Sequence, residues 1–172
     1  MSSLQKMFPS LTLFSDLNWD QVTEEYQRDY ADISFPEYLQ QKASEGDCPP
    51  YLFEIAFYEL ARKEVYQLAE EAPKTSGTFL NPTALFLNLE FDVARMLKGA
   101  ELGQIEIVQR PNILCIYQNA KEETQEQELD HDALSILEHL EDGPQPDKKF
   151  VKPEFEKTFQ DLIKMGLVIY NP

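Results

Sequence analysis

The apolar residues of this chain change their period part-way along it, and that change constrains the fold more than any other feature. After Pro49-Pro50, Leu52, Ile55, Ala56, Leu60 and Tyr66 recur at three- and four-residue steps. That spacing gathers side chains on one helical face and predicts a helix over 51–71. Glu59 and Lys63 fall in the same series, while Glu54, Arg62 and Glu70 are expected to project elsewhere. Beyond the turn Asn81-Pro82, Leu85, Leu87, Leu89, Phe91 and Val93 alternate with Phe86, Asn88, Glu90, Asp92 and Ala94. Period two is the mark of a half-buried strand. Helices first and strands afterwards predict an α+β chain.

The flanking signals agree. Asn18 with Gln21 three residues on reads as a weak capping box, opening a helix to about Asp29. Ser34-Phe35-Pro36 opens another, with proline tolerated in its first turn and Gly46 just past its end. Residues 95–99 read as a short helical or turn connector. From Gln104 onward the expected order is a strand over 105–109, a turn at Arg110-Pro111-Asn112 and a strand over 113–118. After a second turn at 119–121, the polar segment 122–129 follows as a charged edge strand. Asp130 is placed to cap a helix to about Glu141, with Leu129 and Leu134 as a hydrophobic staple, and Asp142-Gly143-Pro144 ends it. A last helix over 153–165 carries Phe155, Phe159, Leu162 and Ile163 on one face. Gly166 stops it, and 167–170 leaves as an extended tail.

Charge narrows the partners. Thirty-one acidic residues face fifteen basic ones across 172 residues, a net charge of -16. The excess is spread: residues 104–172 hold seven Lys/Arg against fourteen Asp/Glu, and residues 1–103 hold eight against seventeen. Such a surface repels a phosphate backbone, whose binding begins with basic side chains that displace counterions. It favours basic peptides, or serves solubility alone. No apolar run is long enough for a signal peptide or a membrane span, so a cytoplasmic protein is expected, with no membrane and no nucleic-acid partner. The two cysteines, Cys48 and Cys115, are expected to be reduced thiols.

No catalytic centre is legible. His131 and His139 share one helix eight residues apart, too far for one metal, and no metal site is expected. Six glycines leave no phosphate-binding loop, and Cys48 reads as a structural or incidental cysteine, since a nucleophile there needs a base brought to it by the fold. Glu90 and Asp92 read either as the solvated face of a strand or as a polar face offered to a partner subunit. The segment 122–128 reads either as a charged edge or as the place where a peptide strand is added through main-chain hydrogen bonds.

Two stretches resemble known families. The strands followed by Asp130, then Leu134-Ser135-Ile136-Leu137-Glu138-His139-Leu140 and Gly143, and then Phe159-Gln160-Asp161-Leu162-Ile163-Lys164-Met165-Gly166-Leu167-Val168, are similar to the winged-helix-like PqqD-type module. Such modules recognise leader peptides of modified ribosomal peptides. Earlier, Phe35-Pro36-Glu37-Tyr38-Leu39, the run from Pro50 to Leu60, Leu80-Asn81-Pro82 and Asp92-Val93 resemble the helical domain of the HvfC/MbnC-type family. Members of that family are partner subunits of iron-containing barrel oxidases that modify cysteines of a precursor peptide. The order of both halves matches, so the resemblance spans most of the chain.

The resemblance implies an N-terminal helical domain over 1–99, with a terminal strand at about 84–94. A winged-helix-like module with a three-stranded antiparallel sheet follows over 104–172. It implies a non-catalytic accessory subunit, with no cofactor of its own and iron in the partner. That subunit would form a heterodimer with a barrel-fold metal-dependent oxidase and present a precursor peptide's cysteine to it. The leader would add as a strand against Thr124, Glu126 and Glu128, with Phe155 and Phe159 packing on it. Glu54, Arg62, Glu90 and Asp92 would dock the oxidase. The alternative is a winged-helix-like DNA-binding transcription regulator, for which Lys148, Lys149, Lys152 and Lys157 form the one basic cluster available.

Overall fold

Side-chain caps set the starts of five helices. In the computed structural model, which describes residues 2–15, 17–68, 76–141, 143, 145 and 151–171, two short helices, α1 (Ser3–Met7) and α2 (Leu11–Phe14), come first. Helix α3 (Trp19–Asp29) begins where Asn18 accepts a hydrogen bond from the Gln21 N–H. Helix α4 (Phe35–Glu45) begins in a full capping box: the Ser34 hydroxyl accepts from the Glu37 N–H, and the Glu37 carboxylate accepts from the Ser34 N–H. Gly46, at φ 84°, ends α4 in the left-handed conformation that other residues avoid. Then follow α5 (Tyr51–Gln67), β1 (Gly77–Leu80), β2 (Leu85–Phe91), α6 (Val93–Glu101), β3 (Gln109–Gln118) and β4 (Thr124–Glu128). The chain closes with α7 (His131–Glu141), a 3-10 turn (Pro153–Phe155), α8 (Glu156–Met165) and β5 (Val168–Asn171). The class is α+β, with helices first and a three-stranded antiparallel sheet in the order β2-β3-β4.

The chain forms two compact units that interleave in sequence, where the sequence reading divides it once, between 99 and 104. One unit takes residues 1–60 and 89–112, the other 61–88 and 113–172. The first holds an aromatic cluster around Phe35. The Phe35 ring lies 5.1 Å from Phe8 and 5.4 Å, edge-on, from Tyr26, arrangements that add to the burial of the rings. Leu11, Leu39, Leu52 and Ile55 are buried in the same unit. In the second, α7 and α8 bury Ile136, Leu137, Phe159 and Leu162 with Cys115 and Tyr117 of β3. Burying each large apolar side chain contributes about 1.5–3 kcal/mol, which makes this cluster the main source of order in the unit.

Several elements differ from expectation. Residues 105–109 were expected as a strand and 110–112 as a turn, yet β3 runs unbroken through Pro111. The neighbours of β3 are β2 and β4, and residues 104–108 stay outside every strand, with Ile105 61% exposed. Pairing with the apolar β2 buries Leu89 and Phe91, which a three-residue hairpin at 110–112 would have left without a partner strand. The expected tail is also a strand: β5 pairs antiparallel with β1, Gly77 opposite Asn171 and Leu80 opposite Val168. The expected ends at Glu71, Asp142 and Pro144, and Glu70, Lys148 and Lys149, lie outside the described residues. Among the described residues, no helix is long and apolar enough to cross a membrane.

Candidate peptide-binding edge and groove

Strand β4 has five residues, Thr-Gln-Glu-Gln-Glu, and lies at the outside of its sheet. Its register on β3 places Gln118 opposite Thr124, Ile116 opposite Glu126 and Leu114 opposite Glu128. At the two ends, the Asn119 N–H donates to the Glu123 carbonyl at 3.0 Å and the Leu129 N–H to the Ile113 carbonyl at 2.9 Å. Antiparallel pairs alternate between exchanging both main-chain hydrogen bonds and exchanging none. The odd-numbered residues of β4 therefore bond to β3. Thr124, Glu126 and Glu128 direct their N–H and C=O groups away from it, along the outer edge, where the Glu128 carbonyl accepts from the Gln127 side-chain amide at 2.7 Å.

Side chains follow the opposite logic. Gln125 and Gln127 stand opposite Tyr117 and Cys115, the two β3 residues in the α7–α8 core, and so share the face of those helices. Thr124, Glu126 and Glu128 share the other face. There the Arg62 guanidinium of α5 meets the Glu126 carboxylate at 3.3 Å.

On the helix side, a groove of about 270 Å³ opens between the end of β4 and α8. Leu129, Ala133, Leu162 and Met165 give it an apolar floor. Glu128, Asp130, Asp161 and Lys157 stand around it, with Gln127 and Thr158. Asp130 also caps α7, accepting from the Ala133 N–H at 2.8 Å, and Asp161 pairs with Lys164 at 3.0 Å.

The structure separates the residues that the sequence grouped as peptide-binding. Phe159 is fully buried in the core and offers no surface to a peptide. Phe155 is half-buried against the same core, with the Lys152 ammonium 5.6 Å above its ring. The groove side chains that sequence reasoning missed are Gln127 and Asp161. A register through Leu129, read with the helix face of Leu162, was the available signal for them.

The expected docking set divides too. Glu54 does not project outward: it is 3% exposed, and its two carboxylate oxygens accept from the Glu90 and Phe91 N–H groups, each at 3.0 Å. Burial pushes its pKa up, against the pull of those two donors. Asp92 is buried as well, because β2 stops at Phe91 and Asp92 caps α6, accepting from the Arg95 N–H at 3.1 Å. The Arg110 guanidinium donates to its other oxygen at 2.6 Å. Glu90 and Arg62 are exposed.

The thiols are poor nucleophiles. Burial pushes Cys115 up to about 12 and raises Cys48 as well, which keeps both protonated at neutral pH. Among the described residues, no group of three His, Cys, Asp or Glu side chains is placed to hold a metal ion. No protein-family model matches the chain, and no curated protein matches it.

Proposed function

We propose that the chain is a non-catalytic accessory subunit that holds a precursor peptide and presents its cysteine to a barrel-fold, iron-containing oxidase. The observation that carries this reading is the outer edge of β4, where the main-chain groups of Thr124 and Glu126 turn outward beside the α8 groove. An extended segment laid on such an edge gains main-chain hydrogen bonds and seats alternate side chains on the helix side. Tethering the segment raises the effective concentration of the attached cysteine at the oxidase. The oxidase supplies the iron, and Arg62 and Glu90 are the docking residues that remain at the surface. The complex is a heterodimer in the cytoplasm.

A tagged pull-down from native extract, at moderate salt with nuclease and read by mass spectrometry, tests the reading. The expected result is a stoichiometric partner of metalloenzyme size, with a short cysteine-bearing peptide. Absence of any protein partner, with a defined DNA fragment retained once nuclease is left out, overturns it in favour of a DNA-binding regulator.

A further inference from the structure

Residues 104–108 run from α6 into β3 without a turn or bend, and Glu101 to Ile107 are all exposed. Three large apolar side chains stand open in that run: Leu102 at 73%, with Ile105 and Ile107. The main chain beside them has an open side too. The Leu129 N–H donates to the Ile113 carbonyl, and the Asp92 N–H to the Val108 carbonyl. Main-chain groups alternate along an extended chain, so Ile105, Ile107, Gln109 and Pro111 face the side of β3 on which β4 lies. The β4 register ends at Leu114, which leaves these four turned to solvent. The same row explains how β3 accommodates Pro111, whose missing N–H stands where no strand is paired.

Charge favours a second copy of the chain as the occupant. Residues 93–112 hold three Lys/Arg against two Asp/Glu in a chain of net charge -16, so two copies meet here without the repulsion of their acidic surfaces. Laid antiparallel about Val108, two such edges set Glu106 opposite Arg110 of the other copy, twice; both side chains are exposed. Opposite charges across a strand pair stabilise it, whereas centring on Glu106 would set like charges face to face. In the Val108 arrangement Ile107 and Gln109 exchange main-chain hydrogen bonds, and Ile105 meets Pro111. We infer that this edge is a self-association surface, through which two copies pair antiparallel over residues 105–111 about a twofold axis at Val108. The inference goes beyond the peptide-holding reading and uses no residue of β4.

Sedimentation equilibrium of the whole chain over a wide concentration range tests it, with amide exchange read at 105–109. The expected result is a reversible monomer–dimer equilibrium, with exchange at Ile107 and Gln109 slowed as dimer forms. Ile107→Pro removes an outward N–H and should weaken the dimer about tenfold while leaving the unfolding midpoint near that of the parent. Should that midpoint fall, Ile105→Lys, which keeps the main chain intact, is held to the same result. Glu106→Lys should also weaken the dimer, and Tyr66→Lys, at another exposed side chain, should not. Val108→Cys should be trapped as a disulfide-linked dimer on mild oxidation, because residues opposite each other in a non-bonded pair come within disulfide reach. A monomer at every concentration overturns the inference. A dimer that neither Ile107→Pro nor Glu106→Lys weakens forms through another surface, and overturns it equally.

Discussion

Arg62 Nη1 and Glu126 Oε1 stand 3.3 Å apart, so an ion pair ties the outer strand β4 to α5. The sequence reading gave these two residues separate tasks, one on an oxidase and one on a peptide. In the fold they are ion-pair partners, one on α5 and one on β4.

The strength of that pair is predictable. The Arg62 side chain is 50% exposed and that of Glu126 is 26% exposed, so solvent screens the attraction. A double-mutant cycle with Arg62→Ala and Glu126→Ala, followed by urea unfolding, should give a coupling below about 1 kcal/mol. A larger value would make the pair a structural anchor for β4.

The outward edge has a sharper signature. Proline lacks an N–H, and the Glu126 N–H points away from β3 while the Gln127 N–H points toward it. Glu126→Pro should therefore leave the unfolding midpoint close to that of the parent and abolish slowed amide exchange on peptide addition. Gln127→Pro breaks the β3–β4 ladder and should lower the unfolding midpoint well below that of Glu126→Pro. The same large loss from both variants would refute the assigned register.

A buried polar network should prove costly to disturb. The Asn81 side-chain amide donates to the Gln118 carbonyl at 2.7 Å and the Gly166 carbonyl at 2.8 Å, while its oxygen accepts from the Thr83 N–H and hydroxyl. Asn81→Ala leaves these groups unsatisfied and should cost about 2–4 kcal/mol in denaturant unfolding. Asn81→Asp should cost more, because a carboxylate cannot donate to two carbonyls.

Glu54 makes stability depend on pH in the direction opposite to most carboxylates. Burial raises its pKa in the folded chain, so within the window between its unfolded and folded values the native state binds the extra proton. Its contribution is fully present below the unfolded pKa and is lost as pH rises through the folded one. Glu54→Gln removes that titration, although its amide can satisfy only one of the Glu90 and Phe91 N–H groups. The stability difference, Glu54→Gln minus parent, should therefore rise as pH climbs above the ordinary glutamate value of 4.5. Thermal unfolding on both sides of that value measures it, and a flat difference would show that the carboxyl is not displaced by burial.

Local rules made much of this fold readable. Ser34 with Glu37, Asn18 with Gln21, Asp130, Gly46 and Gly166 each act within one helical turn, and each stands where expected. The alternation through Leu89 and Phe91 also became a strand. What stayed hidden depends on distant partners. Nothing near Gly77 announces that it will face Asn171, and nothing near Ile105 announces that β3 will pair with β2 instead. The candidate site shares this division. Thr124, Glu126 and Glu128 are the β4 residues that do not bond to β3, a register that alternation along a polar segment does not reveal. Phe159, Glu54 and Asp92 looked available only because amphipathic spacing does not say which polar or aromatic side chain the core will take. Phe159→Ala should cost about 3–5 kcal/mol as a core deletion, so it cannot serve as a probe of peptide contact.

The polypeptide passes from one compact unit to the other after Leu60, after Asn88 and after Asn112. On a ribosome, the unit that is begun first is therefore completed late. Its residues 89–112 emerge only after 61–88, which belong to its neighbour, have already left the tunnel. The first unit is complete only once residue 112 has emerged, and no single cut separates the two units from each other whole. A nick anywhere between 60 and 113 would interrupt the covalent continuity of both.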